Sequence, residues 1–264
     1  MGVERVFQRY IPWMLYAPEA ELCEFCFTVL NKPGQLRKML LIFEKYGVNI
    51  LSISGYALPG WEYGQVFVFA DIKNTRVDLD TVKKELENLG SEVYVKQQPV
   101  KGFMIDEFAH PIYVFPGVRS LILLEPDFAE MIKGFYQKFG EIAATLLYHQ
   151  AYSGGKFLAE YLSEKLNLKG KKLLVECLKF YQAGGWGRVI LAKYDLEKPE
   201  IILKLYDSLE CKIFGNLGKP ASHFLRGHIS GLLTGLLDRE VRVIEKKCIA
   251  MGDPYCEFHL ETID

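Results

Sequence analysis

Apolar and polar positions alternate in short runs through the first third of the chain. Cys23 to Leu30 is a dense apolar run of strand length, and Asn31-Lys32-Pro33-Gly34 follows as a turn whose proline suits a helix start. Leu36, Met39, Leu40 and Phe43 then recur at helical spacing, with Gly47 as the stop. Asn49 to Leu58 and Gln65 to Ile72 read as strands separated by a Pro59-Gly60 turn. Val82, Leu86 and Leu89 line one face of a helix that Asp78 or Asp80 caps and Gly90 ends; Glu92 to Gln97 is a last strand. The order is βαββαβ, which predicts a ferredoxin-like domain over residues 21–97, preceded by an arm at 1–20.

Residues 98–122 change the texture. Pro99, Gly102, Pro111, Pro116 and Gly117 mark them as a linker and the start of a second domain at 123–264. Phe128 to Leu162 has helical periodicity, with a break expected at Ser153-Gly154-Gly155; Leu173 to Tyr181 is a further helix. Strands are expected at Arg188–Tyr194 and Glu200–Leu205, and a helix at His223–Leu237. A hairpin is expected from Glu240–Ala250 and Tyr255–Leu260 across Met251-Gly252-Asp253-Pro254. The fold class is α+β: a ferredoxin-like βαββαβ domain, then an α/β domain with a small antiparallel sheet and surrounding helices.

Composition narrows the function classes. The 264 residues are 50% hydrophobic and 25% charged, which excludes a disordered or low-complexity chain. Lys and Arg number 32 against 33 Asp and Glu, so no overall field draws the protein to nucleic acid or a membrane. The run Ile11 to Ala17 is interrupted by Pro12 and is short of a spanning helix, and the start lacks a signal-peptide layout. The expected compartment is the cytoplasm. Six cysteines are too few for a disulfide-built scaffold. Gly184-Gly185-Trp186-Gly187 is not followed by the Lys-Ser/Thr of a phosphate loop, and neither a nucleophile elbow nor a His-Glu-x-x-His pair occurs. Catalysis is therefore the weaker expectation.

Asn31-Lys32-Pro33-Gly34-Gln35-Leu36, followed by Phe43, Gly47, Asn49 and Ile50, resembles the ACT domain signature. The resemblance implies a small-molecule-sensing or dimer-forming module, with an amino acid as candidate ligand and a homodimer as the expected assembly. Gly34 would let a ligand approach the backbone. Free amides at the helix start near Gln35 suit a carboxylate, and Asn31 could accept from an amino group.

Gly227, Ser230, Gly231, Glu245, Cys248, Gly252, Asp253 and Cys256 resemble the 4-vinyl-reductase-like domain, through the spacing Glu-x2-Cys-x7-Cys with Gly-Asp before the second cysteine. That family includes bacteriochlorophyll-pathway proteins, aromatic sensors and vesicle-tethering subunits. It implies an apolar pocket for a small hydrophobic or aromatic molecule; His149 and Trp186 are candidate lining residues. In the aromatic sensors, residues matching Glu245, Cys248 and Cys256 hold a zinc with one further cysteine. That fourth place falls on Ser222, a poor ligand, so the neighbouring His223 is the candidate. A flat strand would point Glu245 and Cys248 to opposite faces, so a bulge is required. For Cys248 and Cys256, structural zinc, a cross-strand disulfide and two reduced packed thiols all stay open. Cys23, Cys26, Cys177 and Cys211 read as packed thiols. The function implied is a small-molecule-sensing regulatory protein. The alternatives are a vinyl-tetrapyrrole reductase or carrier, and an assembly module without ligand.

Overall fold

In a computed structural model that describes residues 8–262, the chain divides between Leu121 and Ile122 into two units. The first contains β1 (Met14–Tyr16), β2 (Leu22–Leu30), α1 (Gln35–Tyr46), β3 (Asn49–Tyr56), β4 (Tyr63–Asp71), α2 (Leu79–Glu87), β5 (Val93–Gln97), β6 (Phe103–Ile105), β7 (Tyr113–Phe115) and β8 (Val118–Arg119). The strand order β3-β4-β2-β5, antiparallel throughout, is that of a ferredoxin-like sheet. Alternation along β2 sends Cys23, Phe25 and Phe27 to the helical face, where they pack with Met39 and Phe43 of α1 and with Val82 and Leu86 of α2. The Phe25 and Phe43 rings meet edge to face at 5.0 Å. Gly34, at φ +83°, makes the turn into α1, a conformation that β-carbon sterics disfavour for other residues. At α2 the Asp78 carboxylate accepts from the Thr81 amide at 2.8 Å.

The arm and the connection, far apart in sequence, meet on the other face. β1 pairs with β6, Met14 opposite Ile105, and Leu15 and Met104 cover Leu22 and Phe69 of the sheet. The stretch 98–121 therefore carries β6, β7 and β8 and falls with the first unit.

This cover buries Glu24 completely, and both carboxylate oxygens lack a hydrogen-bond partner. Burial, followed by the nearby Asp106 charge, pushes its carboxyl up to about 8. Folded, it keeps a proton that it releases at its ordinary value of 4.5 once unfolded. The folded state then binds the extra proton, so stability falls as pH rises between about 5 and 8. Glu24→Gln should flatten that fall. Melting curves of wild type and variant across the window measure it, and parallel Tm profiles would refute it. Glu210 and Glu245 of the second unit shift in the same sense, so the difference between the two proteins is the informative quantity.

The second unit contains α3 (Glu125–Phe139), α4 (Ile142–Leu166), α5 (Gly170–Ala183), β9 (Arg188–Asp195), β10 (Glu200–Tyr206), α6 (Leu209–Phe214), α7 (His223–Leu237), β11 (Val241–Lys247) and β12 (Cys256–Thr262). Its antiparallel sheet has the order β11-β12-β10-β9. Two features depart from the sequence pattern. The long helical stretch breaks at Gly140, φ +56°, and runs unbroken through Ser153-Gly154-Gly155. The short helix α6 is an addition to the expected elements.

The reason Gly155 sits mid-helix is α7. Gly227, Gly231 and Gly235 recur every fourth residue along α7, and Ala151, Gly155 and Ala159 do the same along α4. These stripes bring the two backbones together. A β-carbon built on Gly227 would lie 2.1 Å from the Tyr148 carbonyl oxygen, and one on Gly231 would lie 1.9 Å from that of Tyr152. One on Gly155 would lie 1.8 Å from the His228 carbonyl oxygen. The core beneath joins Leu174 and Cys177 of α5, Ile229 and Leu233 of α7, and Leu203 and Phe258 of the sheet.

Candidate functional site

The β11–β12 connection builds one half of a cysteine cluster. After β11 a 3-10 turn, Ile249–Met251, ends at Gly252 with φ +94°. The Cys248 amide donates to Asp253 Oδ2 at 2.9 Å, which closes the turn and explains the Gly-Asp pair. Cys256 then opens β12, and its sulfur accepts from the Ile249 amide at 3.4 Å. The pairing register slips between Glu245 and Lys247. That bulge is the local irregularity needed to bring Glu245 to the side of Cys248.

The other half comes from α6 and the start of α7. Ser208 caps α6 and accepts from the Cys211 amide at 3.3 Å. Cys211 Sγ lies 3.6 Å from Cys248 Sγ and 3.5 Å from Cys256 Sγ. Ser222, immediately before α7, donates to Glu245 Oε1 at 2.7 Å and lies 3.1 Å from Cys211 Sγ. The ligand atoms of Cys211, Glu245, Cys248 and Cys256 all fall within 4.8 Å of one another. The three thiols are fully buried, and none of the six cysteines is in a disulfide. A tetrahedral site with metal–sulfur bonds near 2.3 Å sets its sulfurs about 3.8 Å apart, so these thiols fit such an ion with little movement.

The electrostatics agree with a group that shares protons. Cys248 and then Cys256 donate to Cys211, holding its thiol down at about 3, while the same contacts keep Cys256 protonated. Burial, then the Cys248 charge, pushes the Glu245 carboxyl up to about 8. Next to Cys211 on α6, the fully buried Glu210 accepts from the Phe224 and Leu225 amides at 2.8 and 2.9 Å. It thereby caps α7 from outside the helix, although burial pushes its carboxyl up to about 8.

Beside the start of α7 lies a cavity of about 340 Å³, lined by Ala151 and Gly154, Phe180 and Tyr181, Trp186, and Phe224, Leu225 and His228. The Trp186 and Phe224 rings stack at 5.2 Å with a 10° tilt, and Phe128 meets Trp186 edge-on at 5.3 Å. The Tyr181 hydroxyl and His228 Nδ1 share a hydrogen bond of 2.8 Å. Burial holds His228 neutral, its pKa down at about 4. The walls are aromatic, and the polar capacity within them is confined to a few groups.

Residues 201–262 match the vinyl-4-reductase domain. The matched stretch spans β10 to β12 and so contains all four cluster residues and the α7 wall of the cavity. Two uncharacterized proteins of Methanocaldococcus jannaschii are similar in sequence. One is 29% identical over 108 residues, 41% of this chain and 63% of that protein. The other is 40% identical over 75 residues, 28% of this chain and 43% of that protein. The chain thus spans less than two thirds of either relative. Among solved structures, the phenol-responsive sensory domain of the transcription activator PoxR, with phenol, aligns over 54% of this chain and 76% of its own. Its identity is 18% and its TM-score 0.50, a likeness of fold.

The geometry redistributes the residues singled out from sequence. Glu245, Cys248 and Cys256 come together; His223 does not join them, and Cys211 from α6 takes the fourth place. His223 instead lines a separate recess together with His149. Trp186 lines the aromatic cavity. In the first unit the Asn31 side-chain amide donates to the Leu58 and Trp61 carbonyls at 3.0 and 3.1 Å, tying down the β3–β4 loop. Gly34 and Gln35 form the start of α1 and line neither the aromatic cavity nor that recess. The signal that could have found Cys211 is faint: a serine-capped apolar hexapeptide after β10, with an acidic residue beside the cysteine.

No helix among the described residues is long and apolar enough to cross a membrane.

Proposed function

We propose that the second unit senses a small aromatic or other hydrophobic molecule in the cavity between α4, α5 and α7. In this reading a zinc ion on Cys211, Glu245, Cys248 and Cys256 fixes the start of α7. The observation that carries it is the aromatic-walled cavity itself: about 340 Å³, closed on one side by the stacked Trp186 and Phe224. An apolar cavity of about 150 Å³ already accommodates benzene, so a substituted single ring fits here. The Tyr181–His228 pair offers one polar contact for a hydroxyl. Phe224 follows Ser222 by two residues, so the metal-binding residues and the cavity wall share the same turn of chain. Ligand binding would favour one arrangement of that turn and so alter a partner's activity. The ferredoxin-like unit is read as an ACT-type module that pairs two chains; its candidate amino-acid contact, Asn31, already uses its amide on the β3–β4 loop.

Calorimetric titration with phenol tests the proposal. One phenol per chain is expected to bind, and Gly154→Leu, which sends a side chain towards His228, should abolish binding while the unit still folds. A folded Gly154→Leu protein that binds phenol with wild-type affinity, or wild type that binds neither phenol nor indole, overturns it. Native mass spectrometry of the same sample reads metal content and subunit number.

A further inference from the structure

A second recess in the same unit has a different chemistry. It holds about 440 Å³ and is lined by Tyr148, His149 and Tyr152 of α4, by His223 and Arg226 of α7, and by the strand segment Glu240 to Val243. It lies on the opposite flank of α7 from the aromatic cavity: residues 223 and 226 face one, and 224, 225 and 228 the other.

The charges in this recess do not balance. Arg242 is paired with Glu261. Glu240, the acidic residue among the lining groups, is exposed at the rim. Arg226 is half-buried, and its guanidinium lies over the Tyr148 ring, 5.1 Å from the centroid. Among the described residues no carboxylate forms an ion pair with it. The Tyr148 face holds the planar group in place without neutralising it. Next to it, burial and then the Arg226 charge keep the His223 ring neutral, and His223 Nδ1 is buried with no hydrogen-bond partner. A fixed, partly desolvated arginine without a carboxylate partner is poised for a planar anion that can take two parallel N–H bonds. The recess is larger than an inorganic ion requires, and Ala144, Tyr148, Tyr152 and Val243 give it apolar surface.

We propose that this recess binds the carboxylate of a small organic acid, with Arg226 as the counter-charge, Tyr148 and Tyr152 against the carbon skeleton, and His223 as a hydrogen-bonding neighbour. This site is independent of the phenol-type cavity and does not require it.

Titration of the full chain with benzoate, phenol and inorganic phosphate tests the assignment. Benzoate is expected to bind at millimolar concentration or below, in the presence of saturating phenol, and more tightly than phosphate. Arg226→Gln should weaken benzoate by at least about tenfold, the scale of a lost charge-assisted contact, and leave phenol binding unchanged. Arg226→Lys, which keeps the charge but not the paired donors, should give a smaller loss, and it serves if the glutamine variant does not fold. The proposal is overturned if wild type takes up no benzoate, if phenol displaces it, if phosphate binds as tightly, or if the folded variants retain wild-type benzoate affinity.

Discussion

Gly231→Ala is expected to prevent the second unit from folding, whereas Gly154→Ala should leave it folded and slightly more stable. Both are glycines inside long helices, and propensity alone would favour alanine at each by roughly 1 kcal/mol. Their surroundings decide otherwise. A β-carbon on Gly231 would lie 1.9 Å from the Tyr152 carbonyl oxygen and 2.9 Å from the Lys156 amide nitrogen. Those atoms are backbone of α4, held by its own hydrogen bonds, so relief requires separating the two helices along their length. That would strip contacts from a packed interior, and a cost above about 4 kcal/mol is on the scale of a domain's total stability. At Gly154 the nearest atom is His228 Cδ2 at 3.6 Å, an ordinary contact. Thermal unfolding followed by circular dichroism separates the cases. A cooperative Gly231→Ala transition within a few degrees of wild type would show that α4 and α7 do not pack backbone to backbone.

The second large effect concerns the metal. Wild type purified with zinc present should carry about one zinc per chain, and Cys211→Ser should lose it along with much of the thermal stability of the second unit, because metal binding and folding are coupled. The sharper test is rescue. Ser222 Oγ lies 3.1 Å from Cys211 Sγ, so the two side chains point at nearly the same place from different elements. The double variant Cys211→Ser, Ser222→Cys should recover the zinc. His223→Ala should retain it, since His223 is outside the cluster. Elemental analysis after dialysis gives the answer; full zinc in Cys211→Ser, or none in wild type, contradicts the assignment.

How much of this is legible in the sequence depends on how local the cause is. The alternation in Cys23–Leu30 and the helical spacing of Leu36 to Phe43 are set by neighbours in the chain, and the βαββαβ unit follows from them. The hairpin around Gly252-Asp253 is equally local, since Asp253 bonds to Cys248 five residues away. β1 and β6 are three-residue strands that pair across roughly ninety positions, too short for periodicity to register. α6, with six residues, escapes for the same reason, and its contribution to the cluster, Cys211, meets Cys256 across 45 positions. Ser153-Gly154-Gly155 suggests a break because glycine is a poor helix former in isolation. The packed partner that makes Gly155 necessary lies roughly seventy residues further on.

The glycine and alanine stripes carry a consequence for how this unit can change over time. Where main chain touches main chain, there are no side chains to vary, so the frame formed by α4 and α7 is closed to gradual substitution. The positions flanking the stripes are not: Phe180, Trp186, Phe224 and His228 on one side, and His149, His223 and Arg226 on the other. Relatives that keep the frame can therefore diverge in what they recognise by exchanging a handful of flank residues, each side independently of the other.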